Sequence, residues 1–223
     1  MEFRPLTSDN SDFLPEEPLG ESLLDLNTPP LRVWVPKKPV IVLGISQKPE
    51  REIHLDRSRG DGIPVFRRRG GGGCVVLDEG CVCIAMRQPR RDDLNLTHHL
   101  AHSSRVIQEV LNRHWDLEVK IEENHDLTLH GRKFLGCSLY MPRDYALYLC
   151  VILVKRSSLD RIRRYLPMPS RLPSHRAARG HDDFLIPLED AGVESPEELR
   201  TSLDRQLTAR KAWQLPVNPN TTG

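Results

Sequence analysis

Apolar residues fall in runs of four to ten along the chain, broken by polar stretches that carry Gly or Pro. Residues 31–45, LRVWVPKKPVIVLGI, predict two strands interrupted by Pro36 and Pro39, the second apolar enough to be buried. Residues 63–66 predict another strand, which runs into Arg67-Arg68-Arg69-Gly70-Gly71-Gly72-Gly73. Beyond the glycines, residues 74–77 and 81–86 are expected to pair as strands across Asp78-Glu79-Gly80, whose composition suits a turn. Further strands are expected at 117–121, 126–129, 133–141 and 145–154, with turns at His130-Gly131 and Pro142-Arg143-Asp144. Helical spacing governs 95–114, where Leu96, Leu100, Val106, Ile107, Val110 and Leu111 share a face and Asn95 or Thr97 offers a cap. Shorter helices are expected at 19–26, within 47–60, at 158–166 before Pro167, and at 196–209 with Ser195 as cap and Pro196 at the first position. This order lacks strict βαβ alternation. It predicts an α/β (α+β) fold, a mixed and mostly antiparallel sheet flanked by helices, with a loose segment at 1–16 and a C-terminal helix and tail at 196–223.

Composition narrows the partners. The 223 residues suit one domain with a short appendage, and 38% hydrophobic against 28% charged residues indicates a globular chain. Lys and Arg exceed Asp and Glu by one, so no general field draws the chain to nucleic acid or an anionic membrane. Any anion must be bound by a local site. The longest apolar run, 145–154, is ten residues, about half of what a membrane crossing needs. The acidic N-terminus has no apolar signal core, and the five cysteines (Cys74, Cys81, Cys83, Cys137, Cys150) form no CxxC pair. A reduced, cytoplasmic protein is expected.

Two segments carry candidate chemistry. Four consecutive glycines cost about 0.5–1 kcal/mol each relative to alanine. Such a turn suits a backbone that something must approach closely. Its N–H groups can converge on an anion, with three arginines beside them to neutralise phosphate; the alternative is a flexible hairpin loop with a solvated basic flank. The spacing fits neither GxxxxGK[ST] nor GxGxxG. The second segment is Asp126 to Gly136, DLTLHGRKFLG, where the turn sets Lys133 at the start of an apolar strand with Asp126 as a possible partner. Alone it reads more readily as a lysine on an exposed rim.

Together these segments resemble the lipoate-protein ligase A family. Residues 67–75 are similar to RRxSGGGAV and residues 126–136 to ND…GKKxxG. Residues 31–47 look like LRxWxxxxxxVxLGxxQ, and 165–184 like PSRxPxYRxxRxHxxF. The resemblance spans about 17–190. It implies a biotin/lipoate ligase (class II synthetase-like) fold over 17–195, and an enzyme that joins lipoate and ATP into lipoyl-AMP before acylating a lysine of a carrier domain. By the same resemblance, Lys133 would be catalytic, placed where charge builds between carboxylate and α-phosphate. Arg68, Gly71, Gly72, Gly73, Cys74, Val75 and Val76 would bind the adenylate, with Asp126 on the nucleotide or a magnesium ion. The acyl chain, lipoyl or octanoyl, would lie in a tunnel near Val42, Leu43, Val76, Leu135 and Leu139.

Departures from the pattern point to alternatives. Gly70 stands in place of serine, His125 in place of asparagine, and Leu149-Cys150-Val151 in place of a His-Gly-Thr. The accessory C-terminal domain of longer ligases has no counterpart, which suggests a separate accessory subunit. An ATP-independent octanoyl or lipoyl transferase would need a thioester on Cys137 or Cys150, with His130 as a possible base. A non-catalytic relative that only binds nucleotide or carrier would also show these departures. Biotin ligase fits less well, because its arginines lie within the glycine loop. Cys81 and Cys83 read as core, and His98, His99 and His102 as surface or cap features of the long helix. Arg171, His175, Arg176, Arg179 and His181 form a basic run, either a solvated loop or a seat for an acidic carrier or a phosphate.

Overall fold

The computed structural model describes residues 21–216. The expected loose segment 1–16, the start of the helix at 19–26 and the end of the tail lie outside the described residues. Among the described residues nine strands form two sheets: β1 (Leu31–Trp34), β2 (Val40–Leu43), β3 (Val65–Arg67), β4 (Cys74–Leu77), β5 (Cys81–Pro89), β6 (Lys120–Ile121), β7 (Leu127–Leu129), β8 (Arg132–Tyr140) and β9 (Tyr145–Leu153). The larger sheet has the order β1-β5-β9-β8-β7-β6 and is antiparallel throughout. The smaller has the order β3-β2-β4, with β2 parallel to β3 and antiparallel to β4.

Side-chain alternation divides the molecule into four layers. Val82, Ile84 and Met86 of β5, with Tyr148, Cys150 and Ile152 of β9, turn one face of the large sheet towards α3 (Leu96–Trp115) and α6 (Pro196–Ala209). There they meet Ile107, Val110, Leu111, Leu199, Leu203 and Leu207, all fully buried. Each such side chain stabilises the fold by about 1.5–3 kcal/mol. The opposite face, with Cys83, Ala85, Leu147 and Leu149, packs on Val40, Val42, Phe66 and Leu77 of the small sheet. The outer face of the small sheet (Ile41, Leu43, Val65, Val76) is covered by Ile53 beside α1 (Pro49–Glu52), Leu55 of α2 (Leu55–Gly60), and Ile162 and Tyr165 of α4 (Arg156–Tyr165). A short α5 (His181–Phe184) completes the set.

Local signals act as expected at the long helices. Asn95 accepts from the His98 N–H at 3.2 Å while His98 Nδ1 accepts from the Asn95 N–H, closing a capping box on α3. Ser195 caps α6 and Pro196 opens it. His98 is thus a cap residue, and His102 Nε2 meets the Ala212 carbonyl at 2.9 Å.

One expected pairing is overturned. β4 and β5 do not form a hairpin: β4 pairs with β2 in the small sheet, and β5 with β1 and β9 in the large one. Asp78–Gly80 is a corner between layers. The fully buried Asp78 carboxylate accepts from the Gly80 N–H at 2.9 Å, from the Ser158 hydroxyl, and from Arg161 Nη1 at 2.8 Å. A hairpin turn faces solvent, whereas this one is anchored beneath α4. No helix among the described residues is long and apolar enough to cross a membrane.

Candidate active site

The glycine turn is built by two arginines. Arg67 Nη1 donates to the carbonyls of Gly44, Ile45 and Gln47 at 2.8–3.1 Å, tying the end of β3 to the end of β2. Arg68, only 7% exposed, curls back so that Nε meets Gly71 O at 3.0 Å and Nη2 meets Gly73 O at 2.9 Å. Its burial disfavours the guanidinium charge. Gly72 has φ +96°, and a Cβ there would stand 2.6 Å from Arg68 Nη2. Glycine is therefore required by both conformation and space. The same point lies 3.7 Å from Ser138 Cβ, while a Cβ on Gly70 would meet Leu139 O at 3.2 Å. The loop consequently lies against β8, with Gly71, Gly72 and Gly73 open to solvent.

Lys133 reaches the same face of β8 through an irregularity. Leu127 pairs with Leu135, but Thr128 pairs with Lys133, so Phe134 is an extra residue in β8. Simple alternation would set Lys133 on the side of Leu135, Cys137 and Leu139, in the core under α3. The bulge gives that place to Phe134, which is buried beside Leu135, and sends Lys133 to the other face. There Lys133 Nζ lies 2.9 Å from the position a Cβ on Gly136 would take. Gly136 and Ser138 share that face by alternation, so ammonium and glycine loop occupy neighbouring positions along one strand.

Asp126 holds the ammonium, with Oδ1 2.8 Å from Lys133 Nζ and the carboxylate side chain only 7% exposed. A left-handed turn presents it: Asn124 and His125 both have φ +61°, a region that histidine, like asparagine, enters more readily than most residues. The His125 carbonyl accepts from Ser104 on α3 at 3.2 Å, and Cys137 Sγ lies 3.6 Å from the carbonyls of Asn124 and His125.

The segment 173–186 closes this side. His175 Nε2 lies 3.4 Å from Asp126 Oδ2, and its ring packs on Phe184 with centroids 5.4 Å apart. Arg176 and Arg179 stack on Phe184 at 4.6 and 5.3 Å, and Arg179 donates to the carbonyls of His175 and Gly131. The Ile186 N–H donates to Lys133 O at 3.0 Å. The basic run is therefore largely committed to structure, although Arg171 is exposed.

A family model for the lipoyl protein ligase A/B catalytic domain matches residues 16–203. The chain belongs to this family. It is 30% identical over 165 residues to a putative lipoate-protein ligase A of Aeropyrum pernix, covering 74% of this chain and 59% of that protein. It is 29% identical over 128 residues to lipoate–protein ligase 1 of Plasmodium falciparum, covering 57% of this chain and 29% of that one. With the human mitochondrial lipoyl amidotransferase LIPT1 it shares 27% identity over 136 residues, 58% of this chain and 34% of the relative. The chain thus spans less than two thirds of the length of these relatives. A crystal structure of lipoate-protein ligase A bound with ATP superposes with a TM-score of 0.66 at 23% identity, covering 80% of this chain and 71% of that one. The bipartite lipoate protein ligase of Thermoplasma acidophilum superposes at 0.67 and 23%, covering 80% and 69%. The fold is that of the lipoate ligases.

Within this lipoyl ligase domain, several expectations are corrected. Val42, Leu43, Val76, Leu135 and Leu139 do not line one tunnel. Leu43 and Val76 face α1 and α4, Val42 lies between the sheets, and Leu135 and Leu139 face α3, because neighbours in a strand alternate sides. Val76 is 2% exposed and Cys74 and Val75 are half-buried, so β4 offers a ligand mainly the backbone of its free edge. Cys137 and Cys150 are register partners on the α3 side of β8 and β9, behind the sheet from Lys133. Burial pushes the Cys137 thiol up to about 12 and raises Cys150 as well, which disfavours the thiolate a thioester carrier needs. No group of three or more His, Cys, Asp or Glu among the described residues can hold a metal. Asp126 is a single carboxylate paired with Lys133, so a magnesium ion held by it would draw its other ligands from ATP phosphates and water. His175 was legible only as part of a basic run, and nothing in its sequence context pairs it with Asp126.

Proposed function

We propose that this domain activates lipoate with ATP and transfers the lipoyl group to a lysine of a carrier domain. The placement of the Lys133 ammonium in the clearing left by Gly136, on the strand face that the open glycine loop also lies against, carries this reading. In activation, a lipoate carboxylate oxygen attacks the α-phosphorus, pyrophosphate leaves, and negative charge accumulates between carboxylate and phosphate. A cation held beside that position stabilises the charge as it builds. Gly71, Gly72 and Gly73 let the adenylate approach the backbone, and Arg68 holds the Gly71 and Gly73 carbonyls inward so that the loop keeps its shape. In transfer, the carrier amine attacks the acyl carbon and AMP departs. Likeness to an ATP-bound ligase A and to a ligase in complex with lipoate supports both ligands.

Lipoate-dependent ATP–pyrophosphate exchange tests the proposal, with loss of exchange in Lys133→Ala as the expected result. Failure of exchange by the domain alone, restored by a separate small subunit, fits the likeness to a bipartite ligase. The likeness to LIPT1 favours a second reading, transfer without activation. That reading predicts lipoyl transfer from an amide donor, a lipoylated lysine of one carrier, to a lysine of another, with no exchange under any condition. A thioester on Cys137 or Cys150 fits neither cysteine's position.

A further inference from the structure

The activation chemistry uses Lys133 and Asp126 but faces a conflict of charge. An ammonium held 2.8 Å from a buried carboxylate is largely neutralised, and such a cation has little left to offer an anion. If Lys133 turns from Asp126 to the adenylate, the carboxylate is left buried and unpaired, which is costly. His175 stands at the other oxygen. Its Nε2 is 3.4 Å from Asp126 Oδ2, just beyond good hydrogen-bond distance, and both ring nitrogens are buried without a hydrogen-bond partner. A buried imidazole with neither nitrogen satisfied is uncommon and calls for a cause. The ring is held there by Phe184 on one side and by Arg179 on its own carbonyl, and Ile186 of the same segment binds the Lys133 backbone.

Resting on the ligase reading above, we propose that His175 is a positioning residue that takes over the Asp126 carboxylate when the Lys133 ammonium turns to the adenylate. A closure of a few tenths of an ångström converts the Nε2–Oδ2 approach into a hydrogen bond. Asp126 then keeps a partner, and Lys133 brings its full charge to the reacting phosphate. The segment 173–186 thereby carries more than a cover for the site.

Four variants separate this role from packing. His175→Gln keeps an N–H that reaches Asp126 but loses the ring; His175→Phe keeps the ring on Phe184 and loses the nitrogens. In pyrophosphate exchange, His175→Phe is expected to lower kcat about tenfold or more with little change in the KM for lipoate, the signature of an interaction made in the transition state. His175→Gln is expected to retain most of kcat. Combining His175→Phe with Asp126→Asn is expected to cost no more than Asp126→Asn alone, because without the carboxylate charge His175 has nothing to hold. Wild-type kcat in His175→Phe, a larger loss in Gln than in Phe, or additive losses in the double variant would overturn the role and leave the ligase reading intact. A wild-type protein that neither catalyses exchange nor binds lipoyl-AMP, with or without a second subunit, overturns both.

Discussion

Gly136→Ala adds one methyl group to the site and little else. A Cβ at this position would lie 2.9 Å from Lys133 Nζ and 3.0 Å from Cε, whereas ordinary contact begins at 3.4 Å. The ammonium must therefore retreat by at least half an ångström, and it can, because it ends a flexible side chain. Gly136 has no positive φ, so the backbone accepts alanine. In a strand interior that exchange is expected to raise stability by about 0.5–1 kcal/mol, less the cost of moving the lysine. Catalysis responds differently. The retreat disturbs the 2.8 Å pairing with Asp126 and, in the proposed reaction, would move the charge away from the phosphate. Displacements approaching 1 Å at a reacting centre cost about 10²-fold. The expected outcome is an unchanged or higher Tm together with an exchange rate lowered by roughly one to two orders of magnitude. Exchange within twofold of wild type in Gly136→Ala, while Lys133→Ala is inactive, would refute the claim that the ammonium works from this clearing.

Other perturbations test other parts of the molecule. Asp78→Asn removes a buried charge from Arg161, Ser158 and the Gly80 N–H and is expected to destabilise the fold by about 3 kcal/mol in urea unfolding. Cys137→Ala is expected to leave exchange intact, and Cys137 in the native protein should resist thiol reagents at pH 8, because burial holds it near 12. Asp61 is lowered to about 2 by hydrogen bonds from Arg164 and Tyr165. Its folded pKa lies below its unfolded value of 3.8, so its contribution is complete above 3.8 and fades as pH falls through 2. Asp61→Asn should lower Tm at pH 6 and converge with wild type towards pH 2, as scanning calorimetry would show.

Local chemistry made much of the fold readable. Asn95, Ser195 and Pro196 mark helix starts because caps satisfy orphan N–H groups within one turn of chain. His130 and Gly131, at φ +51° and +71°, form the hairpin turn that their sequence predicts. The corner at Asp78–Gly80 reads as a hairpin because turn composition says where a chain reverses but not which sheets its arms join; the partners that fix it, Ser158 and Arg161, lie some eighty residues away. The glycine loop and Lys133 were legible as chemistry, and their adjacency followed only from family resemblance. The course of Arg68 into the loop, the bulge at Phe134 and the approach of His175 to Asp126 all depend on long-range packing, which leaves no local pattern in composition or spacing.

Phe134 also bears on how such a site can be gained or lost. Strand residues obey an even-odd count, and the bulge offsets that count once. Deleting Phe134 would let β8 complete a regular ladder with β7 and would keep the lysine on the cleft face, opposite Leu135, at the cost of a buried ring beneath α3. Straightening the bulge with Phe134 kept in the ladder would instead carry the lysine into that layer, because residues two apart in a regular strand share a side. The charge in this cleft therefore depends on a matter of arithmetic in the backbone, one residue out of step with the neighbouring strand.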